Sequence, residues 1–462
     1  MFRKVLIANR GEIAVRVIRA CKELGMRTVA VHSQCDVDAL HVRLADEAVC
    51  IGPNSASRSY LHIPALVAAA EITGADAIHP GYGFLSESAA FAEVCRRCQI
   101  TFIGPTPEAM RAWGDKVSAR AQARRFGIPL LPGTDTLAHL SDALDAAREL
   151  GFPLMLKASG GGGGRGLKIV RDEAALVRAF DSARAEAQAG FGNPELFLER
   201  FIERPRHIEL QVIADHHGHV SCVGERECSI QRRHQKLLEE SSPGLLSGAA
   251  HGRLIEVAVE ALRETGYRSL GTLEFIVDEQ GAAYFLEMNT RVQVEHPVTE
   301  MVTGLDLVAE QILVAAGGRL TIPVKPMAPR GHAIECRVNA EDPVTFAPSP
   351  GRITEYHPPG GTGVRVDGGV YGGCVVPPHY DSLLAKVIVH AATRPQAIAR
   401  MRRALDEFIV EGVRTNLALH RRIIEHPMFT SGPMSTRFLE ETVLRDPSPR
   451  VNLDAAAARP LR

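Results

Sequence analysis

The sequence predicts a mixed α/β and α+β chain of several domains, and three observations carry that expectation. Residues 4–32 read as strand, helix, strand, the opening of a parallel α/β layer. Residues 271–296 read as an antiparallel hairpin that carries carboxylates. Residues 331–447 are rich in short strands and turns. A chain of 462 residues can bury several cores, and about two or three domains is the ordinary expectation at that length.

Charge is nearly balanced, with 53 Lys and Arg against 54 Asp and Glu and a formal net of -1. That balance gives no global attraction to nucleic acid or an anionic membrane, while leaving room for a local cationic cleft. Nine cysteines, an odd number, argue against a complete disulfide framework and for a reducing, cytoplasmic setting. Cys95 and Cys98 have redox or metal-pair spacing, but no second pair stands at zinc-site distance. They read as incidental helix residues. The first apolar run is too short for a signal peptide, and no uninterrupted apolar stretch reaches membrane length.

The first unit, residues 1–113, opens with the strand VLIA. Ile13, Ala14, Val17, Ile18 and Cys21 then recur at helical spacing, Gly25 marks a stop, and residues 28–32 form the next strand. No GxGxxG follows the first strand, which excludes a conventional nicotinamide site. Strands are expected over residues 47–51, 77–79 and 100–104, with a helix over 63–73. Pro80-Gly81-Tyr82-Gly83-Phe84 reads as a tight βα connection or a ligand-facing turn, with Ser86 and Glu87 just beyond.

The second unit, residues 114–330, begins with Lys116 at a helix start. Lys157 closes an apolar strand, Gly160 to Gly164 are consecutive, and residues 167–170 resume an apolar element. Such a loop lets backbone N–H groups approach phosphate oxygens, at a high cost in backbone entropy. A lid ordered by its ligand is physically sensible. No Gly-Lys-Ser/Thr closes the loop, so it is not a P-loop. Residues 195–201 form a strand carrying Glu199, and His207, Glu209 and Gln211 alternate with Ile208, Leu210 and Val212 as in a half-buried strand. Residues 225–236 gather Arg232, Arg233, His234 and Lys236, enough to concentrate an anion locally. A helix over 253–264 leads into the hairpin.

With Gln280 and Gly281 as the hairpin loop, Glu274 stands directly opposite Glu287. Steps of two from Glu287 reach Asn289, Arg291, Gln293 and Glu295 on the same face while the backbone stays extended. Facing carboxylates repel unless a cation or proton lies between them. Hard divalent ions, Mg2+ above all, are often shared between carboxylates and phosphates. A solvated strand face is the bland alternative. Beyond the hairpin come a helix over 305–316, a Pro-rich connection over 319–330, and an alternating strand over 332–338 with Glu335 and Arg337 on one side. Helices over 395–408 and 414–424 follow, and the polar tail over 448–462 is expected to fray.

KVLIANRGEIAVRVIRAC at residues 4–21, AIHPGYGFLSE at 77–87, KASGGGGGRG at 157–166, RRHQK at 232–236 and EMNTRVQVEHPVTE at 287–300 occur in this order. In these motifs the chain resembles, over about residues 3–440, the biotin carboxylase subunits of bacterial acetyl-CoA carboxylases, within the ATP-grasp superfamily. The resemblance implies an ATP-grasp fold: a Rossmann-like (preATP-grasp) domain over 1–113, and an ATP-grasp region over 114–330 with a mobile glycine-rich lid at about 131–203. A mixed α/β C-terminal domain follows over 331–447. It also implies that bicarbonate attacks the γ-phosphoryl group of ATP, with Mg2+ or Mn2+, to give carboxyphosphate and ADP. Carboxyphosphate yields carbon dioxide and phosphate, and phosphate takes the N1 proton of biotin.

Carried over residue by residue, the family's ATP-binding lysines match Lys116 and Lys157. Other nucleotide positions match Gly162, Gly163, Glu199, Arg200, Ile202, His207 and His234. Arg200 stands where the best-known relatives have lysine. The metal positions match Glu274 and Glu287, with Asn289 close by. Lys236, Arg291, Gln293 and the backbone of Val294 match the groups around bicarbonate, Glu295 the base that acts on it, and Arg337 the guanidinium beside the biotin enolate.

Partners are implied as well: a homodimer, a separate biotin carboxyl carrier protein, and carboxyltransferase subunits. The dimer positions match Arg19, Glu23 and Arg365, while a family phenylalanine is Thr362 here, a loss of apolar contact. No Met-Lys-Met-like site occurs, so biotin is expected to arrive on that carrier. The leading expectation is the first half-reaction of acetyl-CoA carboxylase in fatty acid synthesis. A propionyl-CoA, methylcrotonyl-CoA or pyruvate carboxylase complex, another ATP-grasp ligase, and an inactive scaffold are the alternatives.

Overall fold

The computed structural model describes residues 1–160, 166–241, 248–323, 328–432 and 434–445. A parallel sheet organises the N-terminal part. Lys4–Ile7 lies at its centre, flanked by Arg27–Ser33 and Ala77–His79, with Glu47–Gly52 and Thr101–Phe102 at the edges. Val5 and Ile7 pack against helix Gly11–Glu23 on one face, and Leu6 joins the core of helix Ile63–Thr73 on the other. Burial on both faces is why these strands read as continuous apolar runs. The strand expected over 100–104 is shorter, because Gly104-Pro105 follows and proline has no N–H for the ladder.

The largest element is an eight-stranded antiparallel sheet. From one edge its order is Ala283–Asn289, Ser269–Val277, Arg206–Ala214, Val220–Arg232, Gln235–Ser241, His332–Asn339, Leu383–Ala391 and Val364–Gly368. It therefore contains strands from both sides of residue 331. Helices Lys116–Phe126 and Gly248–Glu264 cover Ile208, Leu210, Phe275 and Phe285 at one end, and helix Arg394–Glu407 covers Cys336, Val387 and Val389 at the other. The strand carrying His207, Glu209 and Gln211 is buried on both faces rather than half-buried, since its polar side faces other charged groups instead of water.

A smaller antiparallel sheet, Leu167–Val170, Leu154–Ala158 and Leu196–Arg200, packs with helices Leu140–Leu150 and Glu173–Phe191 around its own core of Leu154, Leu156, Leu176, Phe180 and Leu198. The glycine-run residues Gly162 and Gly163, and the tail over 448–462, lie outside the described residues. Cys95 is buried in helix Ala89–Arg97 and Cys98 is exposed at its end; both are free thiols. No helix among the described residues is long and apolar enough to cross a membrane.

Two local expectations change in the hairpin. The loop is not Gln280-Gly281 alone: Val277 pairs with Ala283, and Asp278 Oδ1 accepts from the N–H groups of Gln280 and Ala282. A bulge opposite the Glu274/Phe275 step then restores the pairing of Glu274 with Glu287. Nor does the strand continue to Glu295. It ends at Asn289, and Glu295 stands at the N-cap position of helix His296–Thr303 without a side-chain capping bond. The cationic run over 225–236 is itself a hairpin, turning at Arg233 and His234, both at positive φ.

Candidate active site

Both hairpins and the loop after Asn289 face one cavity of about 980 Å³ between the N-terminal sheet, the small sheet and the large sheet. Lys116, Lys157, Glu199, Arg200, Ile202, His207 and His234 line it, as do Lys236, Glu274, Glu287, Asn289, Arg291, Gln293, Val294 and Arg337. Of the expected site residues, only Gly162 and Gly163 fall outside the described residues, and Glu295 lies beneath the surface with no exposure.

Lys236 is the junction. Its Nζ lies 2.7 Å from Glu209 Oε2, 2.9 Å from Glu274 Oε1 and 2.7 Å from Glu295 Oε1. Burial alone lowers the pKa of an ammonium, but these carboxylates more than offset it and raise Lys236 well above its ordinary value. Burial conversely pushes Glu295 up. Lys236, Arg337 and Arg226 overcome that and hold it well below the usual carboxylate range. Glu274 is likewise lowered, against its burial, by Lys236 and His207. Both carboxylates are therefore ionised at neutral pH.

Amide groups complete the Glu274 surroundings. Asn289 Nδ2 and Gln293 Nε2 donate to its Oε1 at 2.8 and 3.0 Å, and His207 Nε2 lies 2.9 Å from Oε2. Gln231 Nε2 donates to His207 Nδ1 at 2.6 Å, which leaves the imidazole proton on the nitrogen facing Glu274. Arg291 donates to Asn289 Oδ1 at 2.8 Å, Gln293 Oε1 at 3.0 Å and Glu87 Oε2 at 3.0 Å. Arg337 donates to Glu239 at 2.6 Å and to Glu295 Oε2 at 2.9 Å. These arginines are thus pinned by carboxylates and amides before any substrate arrives.

Toward the small sheet, Lys157 and Arg120 both pair with Glu199, and Lys116 Nζ lies 3.4 Å from Glu287. Glu274 and Glu287 are cross-strand partners, and with Asn289 they line the cavity. Two carboxylates and an amide oxygen suit a hard divalent ion, so these residues fit Mg2+ or Mn2+. Two buried groupings among the described residues, one of His207, Glu209 and Glu274 and the other of Glu209, Cys228 and Glu295, share Glu209, which Lys236 and Arg226 already pair.

Sequence reasoning missed several supporting groups. Arg226 is completely buried and donates to Glu209, Gln211 and Thr299. Glu239 orients Arg337, and burial pushes its own carboxyl up to about 7 despite that arginine. Arg226 stands within the cationic run over 225–236 and Glu239 just beyond it, on strand Gln235–Ser241, and neither carries a signal of its buried partner. Glu87, visible in the motif over 77–87, holds Arg291 and also accepts from the Thr290 N–H at 2.9 Å.

Three family models match the chain in succession. Residues 1–110 match the model of the biotin carboxylase N-terminal domain, 115–322 that of the carbamoyl-phosphate synthase L chain ATP-binding domain, and 335–441 that of the biotin carboxylase C-terminal domain. A biotin carboxylase of Pseudomonas aeruginosa is 53% identical over 448 residues, covering 96% of this chain and all (100%) of that one. The crystal structure of a biotin carboxylase complex from Campylobacter jejuni superposes with a TM-score of 0.92 at 48% identity, covering 96% of this chain and 99% of that one. The biotin carboxylase domain dimer of Hydrogenobacter thermophilus 2-oxoglutarate carboxylase, solved with MgADP, ADP and bicarbonate, gives 0.91 at 49% identity, covering 96% and 98%. The chain belongs to the biotin carboxylase family.

Proposed function

We propose that this protein carboxylates biotin at the expense of ATP, using bicarbonate as the carbon source. The observation that carries the reading is the Lys236 junction, where one ammonium ties Glu274, the cross-strand partner of Glu287, to Glu295 beside Arg337. Such an arrangement can gather two anionic substrates and keep an ionised carboxylate next to them.

In this reading Lys116 and Lys157 hold ATP phosphates, with Glu199, Arg200, Ile202, His207 and His234 around the nucleotide. Glu274, Glu287 and Asn289 hold Mg2+ or Mn2+, which when bound offsets phosphate charge. Lys236, Arg291, Gln293 and the Val294 N–H orient bicarbonate, and Glu295 accepts its proton. A bicarbonate oxygen then bonds to the γ-phosphorus as the bond to the β-phosphate oxygen breaks, giving carboxyphosphate and ADP. Carboxyphosphate separates into carbon dioxide and phosphate, phosphate removes the biotin N1 proton, and the resulting nitrogen attacks carbon dioxide. Arg337, raised above its already high ordinary value because Glu239, Glu295 and Glu335 outweigh its burial, stays cationic beside the enolate oxygen.

The lid is assigned to about residues 131–203, which include the small sheet. Biotin arrives on a carrier protein, carboxyltransferase subunits take the product, and the enzyme is a cytoplasmic homodimer. Acetyl-CoA carboxylase in fatty acid synthesis is the favoured setting, with propionyl-CoA, methylcrotonyl-CoA and pyruvate complexes as rivals distinguished only by the acceptor subunit. Steady-state ADP release in the presence of bicarbonate tests the reaction, with carboxybiotin trapped from the same mixture. Biotin-dependent release supports it. Dependence on an amine points to another ligase, and silence with both free biotin and carrier points to a scaffold.

A further inference from the structure

The segment Gln293-Val294-Glu295 joins the hairpin to helix His296–Thr303 without a ladder of its own. Two buried side chains hold its carbonyls. His296 Nδ1 lies 2.8 Å from Gln293 O, and Lys386 Nζ donates to Val294 O at 2.8 Å. Both residues are fully buried. A carbonyl oxygen only accepts, so the ring nitrogen facing Gln293 O carries the proton. Burial, then Lys386, Arg16 and Arg365, keep the His296 imidazole neutral, and its other nitrogen finds no hydrogen-bond partner among the described residues. The ring's one hydrogen bond among the described residues is to that carbonyl, with Nε2 standing 3.9 Å from Glu300 Oε2.

Lys386 is anchored from other parts of the fold. It lies 3.2 Å from Glu12 on the first helix and 3.9 Å from Asp367 on the neighbouring strand. Glu12, Glu335 and Asp367 outweigh its burial and keep it an ammonium. Gly369 permits this close packing: a Cβ there would stand 2.5 Å from the Glu12 backbone nitrogen.

A trans peptide is planar, so fixing its oxygen fixes the opposite direction of its N–H. The His296 contact therefore aims the Val294 N–H, which takes no acceptor among the described residues and belongs to a cavity-lining residue. We infer that His296 and Lys386 are positioning residues that preset the 293–295 backbone for binding a planar oxyanion. This rests on the bicarbonate reading above and deepens it. Neither side chain lines the cavity, so each acts through the backbone.

The test compares His296→Leu with His296→Asn, which keeps a donor, and Lys386→Met with the parent enzyme. Bicarbonate-dependent ADP release is measured as a function of each substrate. Loss of one charge-assisted or buried hydrogen bond corresponds to an approximately tenfold change in an equilibrium constant. His296→Leu and Lys386→Met should raise the KM for bicarbonate by about that factor while the KM for ATP changes less than about twofold, with His296→Asn recovering much of the loss. Should Lys386→Met fail to fold, the two His296 variants decide. Unchanged bicarbonate KM, or equal effects on both substrates with no recovery by asparagine, overturns the inference. A parent enzyme whose ATP cleavage ignores bicarbonate instead overturns the functional reading on which it rests.

Discussion

Arg337 and Glu295 show how a residue's neighbours set its chemistry. Arg337 touches Glu239 and Glu295 rather than the nucleotide lysines. Arg337→Ala should therefore retain ATP binding, measured by nucleotide titration, while carboxybiotin formation falls by about 10²- to 10³-fold, the usual scale for losing a charge-stabilising donor. Normal turnover would contradict that assignment. Glu295 has a depressed folded-state pKa. Its stabilising contribution is present above the ordinary value of 4.5 and is lost as pH falls through the folded value. Glu295→Gln should lower thermal stability at pH 7, by an amount on the order of 3–5 kcal/mol because it breaks a buried ion pair. The gap to wild type should close on acidification below about pH 4.5; a gap independent of pH would refute the electrostatic account. At this scale the sequence was highly legible, because the side chains that converge on the cavity sit in recognisable motifs. Arg226 and Glu239 were not, since a buried partner looks like any surface charge until the opposing strand is known.

Among the elements, the hairpin Ser269–Val277 with Ala283–Asn289 carries the facing carboxylates Glu274 and Glu287. Its cross-strand pair was readable from alternation alone, yet the route to it was not. A wider loop shifts the register by one residue and the bulge shifts it back, so the Glu274–Glu287 pairing is the same as for a two-residue loop. The end of the strand at Asn289 was equally hidden, because residues two apart can share a site through a turn as well as through a strand. Packing of the first helix on the C-terminal strands offers a direct test. Gly369→Ala would place its Cβ 2.5 Å from Glu12 N and 2.7 Å from Gly11 C, both backbone atoms with little room to yield. We expect a loss of about 1–3 kcal/mol, typical of overpacking, seen as a lower Tm. An unchanged Tm would mean that this contact is looser than drawn.

For the whole molecule, the eight-stranded sheet is the element that the chain order concealed. Strands Gln235–Ser241 and His332–Asn339 pair directly although about ninety residues lie between them. That pairing brings Glu239 and Glu335 together and sets Arg337 beside Glu295. Arg365, one of the expected dimer residues, donates to Glu300 and Asp367 within one chain. Gel filtration across a range of protein concentrations should show a homodimer, weakened at high dilution by Thr362; a persistent monomer would remove the dimer from the proposal.

The central claim is that bicarbonate itself attacks ATP at the Lys236 junction. Turnover with bicarbonate labelled in all its oxygens by 18O measures this bond directly, by mass spectrometry of the released phosphate. The account predicts one labelled oxygen in each phosphate and the remaining label in carboxybiotin. Unlabelled phosphate, formed while biotin is still carboxylated, would contradict it.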